Sequence, residues 1–146
     1  RKQVTNCCIF LDGCNEVDNM EKYEDNKKKA HEFREWYYGE DRPVPSGAES
    51  ASDTFDLING VLFGHIYQRD VVDTKTRSLC TIAALTVLDR DRQIGDHIKG
   101  ALKLGATKEQ IVEIITQLLF YGGYPCTVNA LSAAGKAFNE YDKDVG

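Results

Sequence analysis

From Asp53 to Tyr141, apolar residues return every three or four positions in segment after segment, and the segments are closed by glycine, proline or capping residues. This period matches the turn of an α-helix and not the two-residue alternation of a half-buried strand. It predicts helices that each bury one face and are joined by short connections: an all-α bundle of about six helices.

The punctuation places the elements. A first helix is expected over residues 20–38, with Tyr23, Ala30, Phe33, Trp36 and Tyr37 as candidate buried positions and Gly39 and Pro43 as its stop. Lys27, Lys28 and Lys29 read as a solvated face balanced by Glu21, Glu24 and Asp25. After a loop over 39–52, a second helix from Asp53 to Tyr67 is expected to turn Phe55, Ile58, Leu62 and Ile66 inward. Asp73 or Thr74 caps a third, running to Leu88 and apolar nearly all round, which predicts burial on most sides. A fourth, ending at Gly105, carries Ile94, Ile98, Ala101 and Leu102 inward. Gly100 inside it costs helix stability, which predicts close approach by a neighbour. Thr107 and Gln110 form a capping box that opens a fifth helix, with Ile111, Ile114, Ile115, Leu118 and Leu119 inward and Gly122-Gly123 at its end. Pro125 sits at the start of the last, which carries Val128, Leu131, Ala134, Phe138 and Tyr141.

With 146 residues and 42% hydrophobic content the chain suits one compact domain. The net charge of -5, without a basic block, argues against nucleic acid as a partner. The longest apolar run, Cys80 to Leu88, is far short of a membrane span, and no secretory signal is visible. Five cysteines at scattered positions (Cys7, Cys8, Cys14, Cys80 and Cys126) suggest no disulfide framework and a reducing, cytoplasmic setting. Cys7, Cys8 and Cys14 lack a fourth ligand at zinc spacing, so no metal site is expected. Residues 1–19 form a separate compositional zone, with one short strand at Cys8–Leu11. They read as an extension ahead of a natural start at Met20 or as an artificial addition, and residues 20–146 as the domain proper.

The residue that carries most chemical information is His97. It lies three positions after Ile94 and four before Ala101, on the side of the fourth helix expected to face the core. An ionisable ring there is either a packed structural histidine or an acid/base.

Five fragments decide between these readings by resemblance: Arg77-Ser78-Leu79; Ala83-Ala84-Leu85; His97-Ile98-Lys99-Gly100-Ala101-Leu102; Gly105-Ala106-Thr107-Lys108-Glu109-Gln110-Ile111; and Tyr121-Gly122-Gly123-Tyr124-Pro125. In that order and spacing the chain resembles the γ-carboxymuconolactone decarboxylase family over about residues 53 to 141. The resemblance implies the all-α fold of alkylhydroperoxidase D-like proteins and a homo-oligomer, a trimer or a hexamer of trimers, with sites near subunit interfaces. It also implies a carboxy-lyase of aromatic catabolism that uses no metal and no organic cofactor to remove CO₂ from a carboxylated lactone or similar small acid.

Such a reaction leaves a dienolate that must be stabilised and then protonated. The resemblance gives His97 the acid/base role. Arg77 is a candidate clamp for a substrate carboxylate, against the alternative of an ion pair with Asp73. His65 replaces the glutamate usual in the family's aromatic-Gly-Glu-aliphatic-aromatic segment, either as a second proton-handling or anion-binding group or as a packed residue. It is the feature that favours a non-catalytic or binding homologue as the first alternative, a thiol redox protein using Cys126 or Cys80 being the second. Tyr121 and Tyr124 are candidate pocket-lining residues. The peroxidase relatives place Cys-x-x-Cys ahead of the histidine; the corresponding positions here are Arg90 and Gln93, which opposes thiol peroxidase chemistry. Cys80 is expected as a small core residue, and Cys126 as a packed residue at a helix N-terminus where a thiolate would be favoured.

Overall fold

A computed structural model describes residues 16–39 and 46–145. The expected strand at 8–11, the cysteines Cys7, Cys8 and Cys14, and Pro43 lie outside the described residues.

Among the described residues, six helices of ten residues or more are present and no strand. They are α1 (Glu16–Tyr38), α2 (Ser52–Val61), α3 (Thr74–Val87), α4 (Asp91–Lys103), α5 (Lys108–Gln117) and α7 (Tyr124–Val145), with the single turn α6 (Leu119–Gly122) before the last. The all-α expectation holds. No helix among the described residues is long and apolar enough to cross a membrane.

The caps fall where local chemistry puts them. Asp73 accepts from the Thr76 backbone N–H at 2.9 Å and opens α3. Thr107 and Gln110 complete both halves of the capping box of α5, each bond 3.1 Å long. Gly39, at φ +81, ends α1 in the left-handed region. There the Lys103 ammonium donates to the Trp36 carbonyl at 2.9 Å and satisfies the negative end of the helix. Asp89, at φ 53, turns the chain between α3 and α4 and accepts from the Asn129 side chain at 2.9 Å.

Two cores result. The aliphatic one joins α3, α4, α5 and α7 through Ile82, Ile94, Ile98, Ala101, Ile111, Ile115 and the small residues Ala130, Ala134 and Ala137. The aromatic one joins α1 to the end of α2 through Ala30, Phe63 and Tyr67, with Phe33 and Tyr38 packed on it.

Several burial expectations are corrected. In α2 and the turn that follows it the aliphatic face is open: Leu57, Ile58, Val61 and Leu62 are exposed, whereas Gly60, Phe63, Gly64 and Tyr67 are buried. The glycine-bearing face wins because it allows backbone to approach backbone. A Cβ on Gly64 would overlap the Asn26 carbonyl of α1. At this contact the helix widens into a π turn over Leu62–Ile66, with Tyr67 N–H donating to the Leu62 carbonyl at 2.9 Å.

α3 is buried along one line only, and two of its three buried residues are polar: Ser78, Ile82 and Thr86. Cys80 is exposed and not a core residue, because it faces away from that line. Trp36, Leu119 and Val128 are also exposed. The inward face of α7 is built from Thr127 and alanines, which let the helix lie close to α4. Of the lysine run, Lys27 spans to Asp56 of α2 at 2.7 Å and Lys29 pairs with Asp25 at 2.6 Å, both partly solvated.

The expected close approach at Gly100 is present: a Cβ there would sit inside the Tyr37 ring. Gly95, on the same helix, has nothing within 4 Å of the corresponding point. Gly100→Ala is therefore expected to destabilise the protein by about 1–3 kcal/mol or more through overpacking. Gly95→Ala should stabilise it by about 0.5–1 kcal/mol by removing backbone freedom. Chemical denaturation of both variants checks this; equal effects would show that Tyr37 does not press on α4.

Candidate active site

The site is built where α4 meets both cores. Tyr37 is fully buried on the last turn of α1, and its ring lies against the bare backbone at Gly100. That seat carries its hydroxyl across to α3 and back onto α4. The hydroxyl makes a short hydrogen bond with Ser78 Oγ, donates to the His97 carbonyl at 3.1 Å, and lies 3.3 Å from His97 Nδ1. Ser78, itself fully buried, has its Oγ 3.5 Å from the same carbonyl. Burial pushes the Tyr37 phenol well above its ordinary range, so it stays a neutral hydroxyl.

His97 is half-buried, and its ring is held edge-on between two tyrosines with centroids at 5.8 Å from each. Nδ1 faces Tyr37 and the interior. Nε2 lies 3.4 Å from the hydroxyl of Tyr38, the half-buried last residue of α1. Tyr38 also meets Phe63 edge-on at 6.0 Å, and Phe33 stacks on Tyr37 and Phe63 at 5.3 and 5.9 Å. The imidazole therefore stands at the edge of an apolar aromatic box, whose low polarity strengthens hydrogen bonds to it.

α3 reads this box with two hydroxyls one turn apart. Ser78 takes Tyr37, and Thr81 lies 3.1 Å from the Tyr67 hydroxyl. Burial raises the Tyr67 phenol too, opposed by its bond to Thr81 and the nearby charge of Arg77.

The other sequence candidates lie elsewhere. Arg77 makes no ion pair with Asp73; its Nε donates to the Val72 carbonyl at 2.9 Å and its Nη2 to the Arg69 carbonyl at 3.2 Å, tying the connection after the π turn to α3. His65 stands on the exposed side of the π turn. Tyr121 and Tyr124 are 79% and 70% exposed, flanking Gly123 beside the 87% exposed Phe120. Cys80 and Cys126 carry free thiols on different helices, Cys126 half-buried at the start of α7. Neither of two surface clefts includes His97: a polar groove of about 290 Å³ between α4 and α7, and a mostly apolar one of about 550 Å³ between α3 and α5. Tyr37, Tyr38 and Ser78 are the site residues that sequence reasoning missed, Tyr37 being expected only as a buried position. The available signals were a tyrosine pair directly before the stop at Gly39 and a serine directly ahead of the mostly apolar run over 79–88.

Comparison with known proteins follows the same segment. Residues 52–136, more than half of the chain, match the profile of the carboxymuconolactone decarboxylase family. The chain is similar to 4-carboxymuconolactone decarboxylase of Acinetobacter baylyi, with 31% identity over 64% of this chain and 67% of the relative. It is similar to nitrosuccinic acid decarboxylase of Metarhizium robertsii, with 29% identity over 58% of this chain and 59% of the relative. An uncharacterized 15.0 kDa protein of Paracoccus denitrificans is 38% identical over 56% of this chain and 63% of the relative. The matched stretch thus spans about three fifths to two thirds of these relatives' own length.

Because Tyr37 is buried neutral, its contribution to stability has a definite pH window. Its folded-state pKa is raised, so the contribution is fully present below the ordinary tyrosine value of about 10 and is lost as pH rises beyond it. Thermal unfolding from neutral to alkaline pH should show a steeper loss of stability in the wild type than in Tyr37→Phe above about pH 10. Parallel profiles would show that this phenol is not held neutral.

Proposed function

The chain belongs to the carboxymuconolactone decarboxylase family, and on that premise we propose that it is a decarboxylase of a carboxylated lactone or similar small organic acid, with His97 as the proton donor. The observation that carries this reading is the setting of His97: one ring nitrogen turned to a buried hydroxyl network, the other to a half-buried tyrosine at the edge of an aromatic box. The decarboxylases named among the similar proteins act on two different acids, so the decarboxylation step and not one substrate is the common denominator.

The chemistry follows from the bond that breaks. When CO₂ leaves a carbon conjugated to a lactone carbonyl, the electron pair passes into a dienolate. A neighbouring acid then completes the reaction by placing a proton on carbon. Imidazole suits this step because its pKa lies near neutrality. Apolar walls such as Phe33 and Phe63 favour loss of the charged carboxylate as neutral CO₂ and strengthen any donor aimed at the developing anion. Arg77 supplies fixed positive charge at the start of α3, and we assign it to attracting the substrate carboxylate.

Self-association belongs to the same proposal. Leu88, Phe120, Tyr121 and Tyr124 are all exposed around α6 and the adjoining ends of α3 and α7. Exposed aromatics in such number favour a subunit interface. In that arrangement Tyr121 and Tyr124 serve contact between copies.

The test is CO₂ release from γ-carboxymuconolactone by the purified protein. His97→Gln is expected to lower kcat by about 10²–10⁴-fold while leaving the thermal midpoint close to wild type. Wild-type activity that survives His97→Gln would remove His97 from the reaction; no release from this or related carboxylated lactones would remove the decarboxylase assignment.

A further inference from the structure

We infer that His97 exchanges its proton through Nε2 and Tyr38, while Tyr37 locks Nδ1 in the protonated state; this rests on the decarboxylase reading for its catalytic half and on geometry alone for the other. The argument is a count of protons in the buried network. Tyr37 has one hydroxyl proton and three polar neighbours: Ser78 Oγ, the His97 carbonyl at 3.1 Å and His97 Nδ1 at 3.3 Å. The carbonyl can only accept, and it is nearer than Nδ1, so the Tyr37 proton goes to it. The phenol oxygen is then left to accept. Ser78 donates to it across the short contact, since its own reach to the carbonyl is 3.5 Å. The remaining lone pair faces Nδ1 and is satisfied only by an N–H there. The Tyr37 and Ser78 hydroxyl protons then each have an acceptor and both lone pairs of the phenol oxygen a donor, as a low-polarity site requires.

This assignment has a mechanistic consequence. With Nδ1–H fixed, the neutral ring presents a bare Nε2, and the cationic ring differs only by a proton on Nε2. None of the buried bonds changes between the two charge states. His97 can therefore gain and lose its proton without reorganising Tyr37 or Ser78, a preorganised arrangement of the kind that lowers barriers. Tyr38 Oη, 3.4 Å from Nε2, is the relay. In the protonation step the Nε2–H bond breaks as an O–H bond forms on Tyr38. The original Tyr38 O–H bond breaks as a C–H bond forms on the dienolate, whose electron pair becomes that bond. Neutral His97 is then reprotonated from water. Tyr37 and Ser78 are positioning residues; Tyr38 is the group that meets the substrate.

The experiment uses the full chain labelled with ¹⁵N-histidine, with long-range ¹H–¹⁵N spectra recorded where the ring of His97 is neutral. The wild type is expected to show Nδ1 protonated and Nε2 bare, Ser78→Ala to keep that state, and Tyr37→Phe to shift His97 toward the Nε2–H tautomer. A wild-type Nε2–H tautomer, or a tautomer unmoved by Tyr37→Phe, overturns the lock. Tyr38→Phe should leave the tautomer as in wild type and lower kcat for CO₂ release by about 10²-fold with KM unchanged. An unchanged kcat overturns the relay. If the wild type releases no CO₂, the decarboxylase reading falls and the relay with it, while the spectra still decide the lock.

Discussion

One missing side chain organises the region that matters. Because Gly100 presents bare backbone, the Tyr37 ring can lie against α4 and reach past it to Ser78. A methyl group at that point would displace the ring. The hydroxyl would then leave both Ser78 and the His97 carbonyl, at the cost of separating buried polar groups. The helix tolerates the glycine because Ile94, Ile98, Ala101 and Leu102 on the same helix anchor it in the aliphatic core. Packing elsewhere thus sustains a locally weak residue where contact requires it.

The same logic explains why polar side chains sit in the core. Buried Thr86 answers its own helix, donating to the Ile82 carbonyl at 2.9 Å. Buried Ser78 instead answers another element and so joins α3 to α1 and α4. Tyr67 and Thr81 repeat the device one turn along. The aromatic box is therefore not only an apolar cluster. The Tyr37 and Tyr67 hydroxyls are pinned to α3, which fixes ring orientations that dispersion alone would leave adjustable.

Helix existence, caps and the Gly100 contact were legible in the sequence because each rests on local chemistry. Asp73 and Thr107 need only neighbours three residues away. His97 stood out through its stripe position and the resemblance of its flanks, and the structure brings Tyr37 and Tyr38 to its ring. What was not legible depends on which elements meet. In α2, two faces competed, one aliphatic and one bearing Gly60 and Gly64; only the position of α1 against Gly64 decides the outcome. Tyr38 and Ser78 take their meaning from a helix-end contact 59 residues away and a buried contact 41 residues away, separations at which periodicity carries no information. Arg77 was read as a carboxylate clamp or as an ion pair with Asp73; in place of the ion pair its Nε and Nη2 bonds go to the backbone carbonyls of residues 72 and 69, which no charge pattern would show.

Membership of the family suggests a reaction class, and on the proposed reading the arrangement around His97 is where that chemistry would be performed. The most direct test is an experimental structure of the full chain bound to a carboxylated lactone analogue that cannot lose CO₂. The account predicts that the carbon to be protonated lies within proton-transfer reach of the Tyr38 hydroxyl or His97 Nε2, against the aromatic box of Phe33 and Phe63. An analogue seated in the polar groove between α4 and α7, or in the cleft between α3 and α5, with His97 untouched, would contradict it.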